Sequence, residues 1–240
     1  RYVSKKPFIF MSLFFVHSVG MAAFDRCPDV FTNIEPPKFL FADATSKLKL
    51  KESCMGDFAL LYSGVTKTPV LCMEKISRET LYEARKVRVR PVFIEGEKLN
   101  DKIRSTLEDY SGSGFDKARC SPTNNRQLEG SAQLTYSLTN IFPGLPSVQR
   151  GPWAKVEEDI RLFAKDYSSG FVYVVTGLFF EAPIKKIGKN KVWVPAVQYK
   201  FVKDLNTGKS WGVWLKNKPD VTAPEILTEA ELEKRTGINF

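Results

Sequence analysis

Three basic side chains with phosphate-binding chemistry stand out in this 240-residue chain. Lys117 and Arg119 lie two positions apart in a polar stretch, and Arg150 follows later in the sequence. Ammonium and guanidinium groups hold a phosphate through their charge and through several N–H donors. Glu157 comes soon after Arg150 in a segment with helical periodicity, where a glutamate is by default a solvated surface residue. The three cations therefore predict an anion-binding surface.

The single histidine of the chain, His17, limits its acid–base chemistry. Histidine is the commonest general base near neutral pH and the commonest metal ligand. His17 lies inside an apolar run near the start of the sequence, and no other histidine is present. The rest of the chain therefore offers no Ser/His/Asp or Cys/His catalytic set. The cysteines show no Cys-x-x-Cys spacing, which argues against a structural zinc site.

Residues 1–23 have the three-part pattern of a secretory signal peptide. The first six residues include three basic ones, at positions 1, 5 and 6. An apolar run at 7–16 follows, and the segment ends in small residues. This run is shorter than the ~20 residues of a membrane-spanning helix. We therefore predict cleavage rather than a retained membrane anchor, and a secreted or periplasmic protein. Cleavage would remove His17 and lower the net charge from +9 to about +6.

Export changes the interpretation of the four cysteines, since disulfides persist outside the cytosol. Cys27 and Cys54 lie in loop-like sequence and are the first candidate pair. A second bridge between Cys72 and Cys120 is compatible with the sequence, although four cysteines allow three pairings.

Length and composition predict one globular domain at residues 24–240. The chain is 43% hydrophobic and 26% charged, which excludes collagen-like, coiled-coil and low-complexity classes. Its net charge of +9 favours an anionic partner such as nucleic acid or a membrane surface.

The hydrophobic pattern predicts mainly strands. Apolar runs at 58–63 and 69–75 flank a short turn and predict a β-hairpin. The long β-branched and aromatic run at 171–180 predicts a central strand. Two more strands are expected at 191–204 and 210–216, joined by a Gly-containing turn.

Three helices are predicted between these strands. Residues 77–86 contain Thr80 and Glu83 at the spacing of a capping box. Residues 149–167 have one apolar face, and a last helix is expected at 225–235. Strands dominate and helices do not alternate with them, which predicts an α+β fold around a mixed or antiparallel sheet.

Six blocks of sequence carry a resemblance to a known family. They are FALLYSGVTKTPVLCMEKIS, EDYSGSGFDKARCSP, TYSLTNIFP, QRGPWAKVEEDIR, FVYVVTGLFF and EKRTGINF, and they cover most of the chain from about Cys54 to Phe240. In order and spacing they resemble the DNA/RNA non-specific endonucleases, secreted and mitochondrial nucleases with a ββα-metal (His-Me finger) site. The resemblance implies that fold, a DNA or RNA partner and a Mg²⁺ cofactor.

The catalytic motif of the resembled family is altered in this chain. The family has Asp-Arg-Gly-His followed by two residues and a Pro, and its His is the general base. Here the matching residues are Asp116, Lys117, Ala118 and Arg119, with Pro122 keeping the register. A guanidinium has a pKa above ~12 and cannot accept a proton near neutral pH. Lys117 replaces an Arg that would bind phosphate with two parallel hydrogen bonds.

The metal site implied by the resemblance is altered as well. Gln149 stands where the family has the Asn that ligates Mg²⁺ directly, and its side chain is one methylene longer. Mg²⁺ tolerates little deviation from octahedral geometry, so we expect a weakened or absent ion. Glu157 matches the Glu that orients metal-bound water, and Asn140 matches a catalytic-site Asn. Arg90, or its neighbour Arg88, matches a phosphate-contacting Arg.

Three functional hypotheses follow. The first is an exported nucleic-acid-binding protein whose hydrolytic activity is lost or strongly impaired. The second is an active Mg²⁺-dependent DNA/RNA endonuclease in which Gln149, Asn140 and Glu157 hold the ion and another group replaces the His. The third is a secreted protein-interaction module. A separate structural interpretation of Arg119 is an ion pair with Asp116 or Glu157.

Overall fold

A computed structural model describes residues 24, 27–41, 43–95 and 99–240. The predicted signal peptide at 1–23, which includes His17, lies outside these residues, and its cleavage stays a prediction. None of the helices in the described residues combines the length and the apolar composition needed to cross a bilayer.

The described part of the chain is organised around β-strands. They are β1 (Lys38–Phe39), β2 (Leu50–Cys54), β3 (Phe58–Ser63), β4 (Thr68–Ile76), β5 (Asp116–Arg119), β6 (Ile141–Gly144), β7 (Val172–Phe179), β8 (Lys186–Ile187), β9 (Val192–Trp193), β10 (Val197–Asp204), β11 (Ser210–Lys216), β12 (Glu225–Leu227) and β13 (Ile238–Asn239). Seven of these described strands form one antiparallel sheet in the order β12–β11–β10–β7–β4–β3–β2. The predicted α+β fold with a central sheet is therefore confirmed.

Helices connect and flank the strands. They are α1 (Pro28–Phe31), α2 (Ala44–Leu48), α3 (Arg78–Ala84), α4 (Leu107–Tyr110), α5 (Glu129–Leu134), α6 (Pro146–Val148), α7 (Ala154–Asp166) and α8 (Glu229–Thr236). Short 3₁₀ turns lie at Asp101–Ile103, Thr123–Asn125 and Leu138–Asn140, and a π-type turn at Gln149–Trp153 leads into α7.

Three helix predictions differ from the structure in detail. The capping box of α3 is formed by Ser77 and Thr80, so Thr80 is the third helical residue and not the cap. Residues 225–227, predicted as helix, pair with β11 as a strand before α8 begins. The predicted helix at 149–167 is interrupted at its start, because Gly151 has non-helical angles and precedes a proline.

The two faces of the sheet have different cores because side chains alternate along each strand. On one face Phe201 stacks on the C-terminal Phe240, with ring centroids 4.8 Å apart. On the other face Val174 and Val202 pack beneath Ile160 of α7. This second face positions α7 and the segments that precede it.

Two disulfide bonds tie loops to the sheet. Cys27 is bonded to Cys54, which confirms the first predicted pair, and Cys72 is bonded to Cys120. The second bond anchors the residue after β5 on strand β4 of the large sheet. Closing loops of 27 and 48 residues stabilises a folded chain by roughly 3 to 4 kcal/mol each in the chain-entropy description.

The face of the sheet below α7 also buries charge. Arg126 is fully buried, and its Nη1 donates to the backbone oxygen of Asp57 at 2.8 Å and to Asp57 Oδ1 at 2.9 Å. Its Nη2 forms an ion pair with Glu74 of β4, which is also buried. Asn125 donates to the second oxygen of Glu74 at 3.2 Å. The network fixes the chain that follows β5 onto β3 and β4.

We expect Arg126→Met to lower the free energy of unfolding by about 3 to 5 kcal/mol, because it leaves two carboxylates buried without their cation. Urea denaturation of the two proteins measures the difference.

The matched control is Arg150→Met, which removes an exposed arginine paired with Asp116. Such a pair contributes about 1 kcal/mol or less. If Arg126→Met lowers the free energy of unfolding no more than Arg150→Met does, the structural role of the buried network is contradicted.

Candidate nucleic-acid site

A cavity of about 370 Å³ lies where β5, β6 and α7 meet. Strands β5 and β6 form an antiparallel hairpin in which Arg119 is opposite Ile141, and α7 completes a ββα unit. The lining residues are Phe93, Asp116, Lys117, Ala118, Arg119, Pro122, Gln149, Arg150, Trp153 and Glu157. The cavity thus gathers five predicted site residues from two separate stretches of sequence.

Lys117 and Arg119 are held by aromatic rings. The Nζ of Lys117 lies 4.9 Å from the ring centroid of Phe93, and the Cζ of Arg119 lies 5.1 Å from that of Tyr136. These are cation–π distances, which orient a cation without using its hydrogen-bond donors. The Nε of Arg119 is buried and has no hydrogen-bond partner among the described residues. Both side chains therefore line the cavity beside an aromatic ring and without a carboxylate partner among the described residues.

Arg150 has a different environment from the other two cations. It donates from Nε and Nη2 to the two carboxylate oxygens of Asp116, at 3.0 and 2.7 Å. This fork-to-fork pair already satisfies part of the guanidinium. Asp116 therefore pairs with Arg150, and among the described residues Arg119 has no carboxylate partner.

Gln149 is fixed by a contact that crosses to the central sheet. Its Nε2 donates to Oε1 of the buried Gln198 on β10 at 2.7 Å. The amide passes directly over Gly144, where an added Cβ would lie 2.4 Å from Nε2. The Gln149 amide is therefore held against the sheet, while the residue lines the cavity.

Glu157 lines the cavity from the first turns of α7 and is partly exposed. A carboxylate in this part of a helix also interacts favourably with the positive end of the helix dipole. That structural role accounts for a glutamate here even in the absence of any metal-site role.

Two predicted site residues lie outside the cavity lining. The buried Asn140 donates from Nδ2 to the carbonyl oxygens of Ser121 and Thr135, at 2.9 Å each, and accepts from the Ser121 amide at 2.9 Å. These bonds occupy its amide in holding the chain after β5. Arg90 is exposed on the segment before Phe93, and it is Phe93 that reaches the cavity.

The donor set of the cavity fits a resident Mg²⁺ poorly. One amide oxygen, on Gln149, and one carboxylate, on Glu157, are available, because Asp116 is engaged by Arg150. Three cations and two carboxylates line the cavity, which leaves one net positive charge. The described residues contain no group of three or more His, Cys, Asp or Glu side chains arranged to hold a metal ion.

A buried lysine that the sequence analysis did not single out lies beneath the cavity. Lys200 on β10 donates from Nζ to Thr176 Oγ1 at 2.6 Å, and Nζ lies 4.9 Å from the ring centroid of Trp153. Burial lowers the pKa of Lys200 from 10.5 to about 8. The nearby Glu157 carboxylate opposes this shift without cancelling it. A lysine between two aromatic residues of a predicted strand was the available sequence signal.

Lys200→Met should change the pH dependence of stability. The pKa of Lys200 is about 8 in the folded protein against an ordinary value of 10.5, so the charged form is penalised on folding. This cost is full below pH 8 and disappears as the pH rises to 10.5. Relative to the variant, wild-type protein should gain roughly 3 kcal/mol in free energy of unfolding over that interval.

Urea denaturation at several pH values measures this gain. Lys216→Met, at an exposed position of the neighbouring strand β11, is the matched loss of a lysine. A stability difference between wild type and Lys200→Met that stays constant from pH 8 to 10.5 would rule out the penalty on the charged amine.

The sequence is similar to those of proteins named as nucleases. Human mitochondrial endonuclease G is 30% identical over 168 residues, which cover 65% of this chain and 54% of the human protein. Nuclease C1 of Cunninghamella echinulata var. echinulata is 28% identical over 166 residues, 62% of this chain and 65% of that protein. The chain spans about half the length of the endonuclease G relatives that it matches.

A solved structure shows the same fold. A chain in the crystal structure of the EndoG/EndoGI complex, which addresses the mechanism of EndoG inhibition, superimposes with a TM-score of 0.66. It is 22% identical, and the match covers 79% of this chain and 84% of that chain. The sequence model of the DNA/RNA non-specific endonucleases matches residues 41–240. Because this match extends over most of the sequence, the chain belongs to the DNA/RNA non-specific endonuclease family.

Proposed function

We propose that this protein binds DNA or RNA at the β5–β6–α7 cavity and that its phosphodiester hydrolysis is lost or strongly impaired. The observation that carries the proposal is the position of Arg119. It lines the cavity at the place where the family resemblance implies a His base, and among the described residues it has no carboxylate partner.

The chemistry of the lining residues supports the loss of hydrolysis. A guanidinium stays protonated at any physiological pH and cannot activate water as a base. Loss of a general base costs roughly 10² to 10⁴ in rate. The net positive charge of the lining also opposes a divalent cation, whose stabilisation of transition-state charge is worth several kcal/mol.

The same residues support binding. Lys117 and Arg119 are oriented by Phe93 and Tyr136 and keep donors for a phosphate. Opposite charges attract over several ångströms, and binding to nucleic acid releases condensed counterions. The excess of basic residues over the whole sequence strengthens this attraction.

The second candidate is an active Mg²⁺-dependent endonuclease. Gln149 and Glu157 both line the cavity, which is the observation in its favour. The names of the relatives also describe nucleases. In this case Asn140 would act by holding the hairpin and not by touching the ion, since its amide is already hydrogen-bonded.

Export of the protein is part of the proposal. The described residues contain two disulfide bonds and no free cysteine, as expected of a chain that folds in an oxidising compartment. The signal-like pattern of residues 1–23 supports the same location.

We expect plasmid DNA and RNA incubated with the protein and Mg²⁺ or Mn²⁺ to be degraded no faster than with chelator. Metal-dependent degradation that disappears in Glu157→Ala would establish the active-enzyme alternative instead. Degradation that survives Glu157→Ala would come from a contaminating nuclease.

Arg119→His should create measurable hydrolysis, and the double variant with Gln149→Asn should increase it. Returning a base is worth roughly a hundredfold or more in rate. Arg235→His, which places a histidine on the exposed α8, is the control and should stay inactive. A silent double variant would show that loss of the base is not what prevents hydrolysis.

Affinity for nucleic acid should fall steeply as salt is raised. The double variant Lys117→Ala/Arg119→Ala should bind a duplex about tenfold more weakly and reduce the slope of log K against log salt by about one to two. Fluorescence anisotropy across a salt series measures both. Binding that ignores salt, or no binding, would favour the protein-interaction module.

A further inference from the structure

A second groove runs along α7. It encloses about 550 Å³ between α7 and α3 with the segment that follows α3. Four basic residues line it, Arg85 and Arg88 from the segment after α3 and Arg161 and Lys165 from α7, against the single acid Glu158. We call this feature the α3–α7 groove.

The basic groups of the groove are only weakly engaged. Arg88 donates from Nη1 to the backbone oxygens of Arg85 and Val87, at 2.6 and 2.9 Å, and not to a carboxylate. Arg161 reaches the neutral Asn125 at 3.5 Å. Lys165 lies 3.5 Å from Asp166 in an exposed pair, which offsets little of its charge.

The floor of the groove is apolar. Leu81, Ala84 and Val87 line the α3 side, and Leu162 lines the α7 side with 40% of its surface exposed. Cations above an apolar floor match a chain that alternates charged phosphates with sugars and flat bases.

The groove continues from the cavity. Pro122 and Trp153 line the cavity, and the nearby Asn124 and Ala154 line the groove. Along α7, Glu157 faces the cavity, and Lys165 lies about 12 Å further along the helix axis. At about 3.4 Å per nucleotide along a helical strand, this distance corresponds to three or four nucleotides.

We propose that the α3–α7 groove binds the sugar–phosphate backbone of the nucleic-acid strand that occupies the cavity, three or four nucleotides beyond it. The inference rests on the proposed function and adds a second contact region to it. Three of the four basic residues are arginines, whose planar fork matches a phosphate. Continuity with the cavity favours one strand across both features over an acidic peptide in the groove alone.

The test compares charge-reversal variants at two places. Arg85→Glu/Lys165→Glu reverses one cation on each wall of the groove. The control, Lys216→Glu/Lys234→Glu, makes the same change in net charge at exposed positions of β11 and α8, and Lys234, like Lys165, lies in a last helical turn. Urea denaturation first confirms that both variants are folded.

Anisotropy is then measured with single-stranded oligonucleotides of about four and about twelve nucleotides. The longer oligonucleotide should bind the groove variant at least tenfold more weakly than wild type, with the salt slope reduced by about one to one and a half. The short one, which fills the cavity alone, should lose less than about threefold. The control variant should change both affinities by less than about threefold.

Each other outcome overturns the inference in a distinguishable way. If wild type binds the twelve-nucleotide probe and the groove variant binds it as tightly as the control variant does, the groove has no role but the proposed function stands. If the groove variant loses affinity for the short and the long oligonucleotide by the same factor, the groove residues act only through overall charge. If wild type binds neither oligonucleotide, the proposed function fails together with the inference. If wild type binds a polyglutamate peptide of similar length as tightly as the oligonucleotide, and the groove variant does not bind the peptide, the groove is assigned to acidic peptides.

Discussion

The place of the β5–β6 hairpin depends on one buried guanidinium. Arg126 links Asp57 at the start of β3 with Glu74 of β4, and all three side chains are buried. Burial lowers the pKa of Arg126, and the Asp57 carboxylate opposes that shift. A buried ion triad stabilises a fold little more than well-packed apolar side chains would. Removing one of its partners, however, lowers the stability strongly. The chain after Arg119 therefore has one arrangement that satisfies these charges.

Other contacts fix the same region from different sides. The Cys72–Cys120 bond fastens the residue after Arg119 to β4, and the Asn140 amide joins Ser121 to Thr135. Above the sheet, α7 packs on Val174 and Val202. The cations of the cavity thus stand on a framework held by a covalent bond, a buried ion network and an apolar core. A framework of this kind keeps its shape when the residues that do chemistry are replaced.

Apolar runs in the sequence located the sheet but not its polar interior. The runs at 58–63 and 171–180 became β3 and the central strand β7, because a continuous apolar segment is a local property. The charges of Arg126 and Glu74 are about fifty residues apart, and no local pattern indicates that they meet. Lys200 has one local signal, its place between Tyr199 and Phe201 in a predicted strand, but alternation along the strand by itself puts it on the face opposite those aromatic residues.

The candidate site was predicted in part. Lys117, Arg119, Gln149, Arg150 and Glu157 line one cavity, as the family resemblance implied. Asn140 and Arg90 do not, because the amide of one is used within the fold and the other lies on an exposed segment. The pairing of Arg150 with Asp116 depends on side-chain geometry, which the sequence does not specify.

Gly144 couples two positions of this chain. A Cβ at 144 would lie 2.4 to 2.7 Å from the Gln149 side chain, so a larger residue there would displace that side chain from Gln198. An alanine at 149 would remove all three contacting atoms. Substitutions at 144 and 149 should therefore have non-additive effects on stability, because each one changes the space that the other needs.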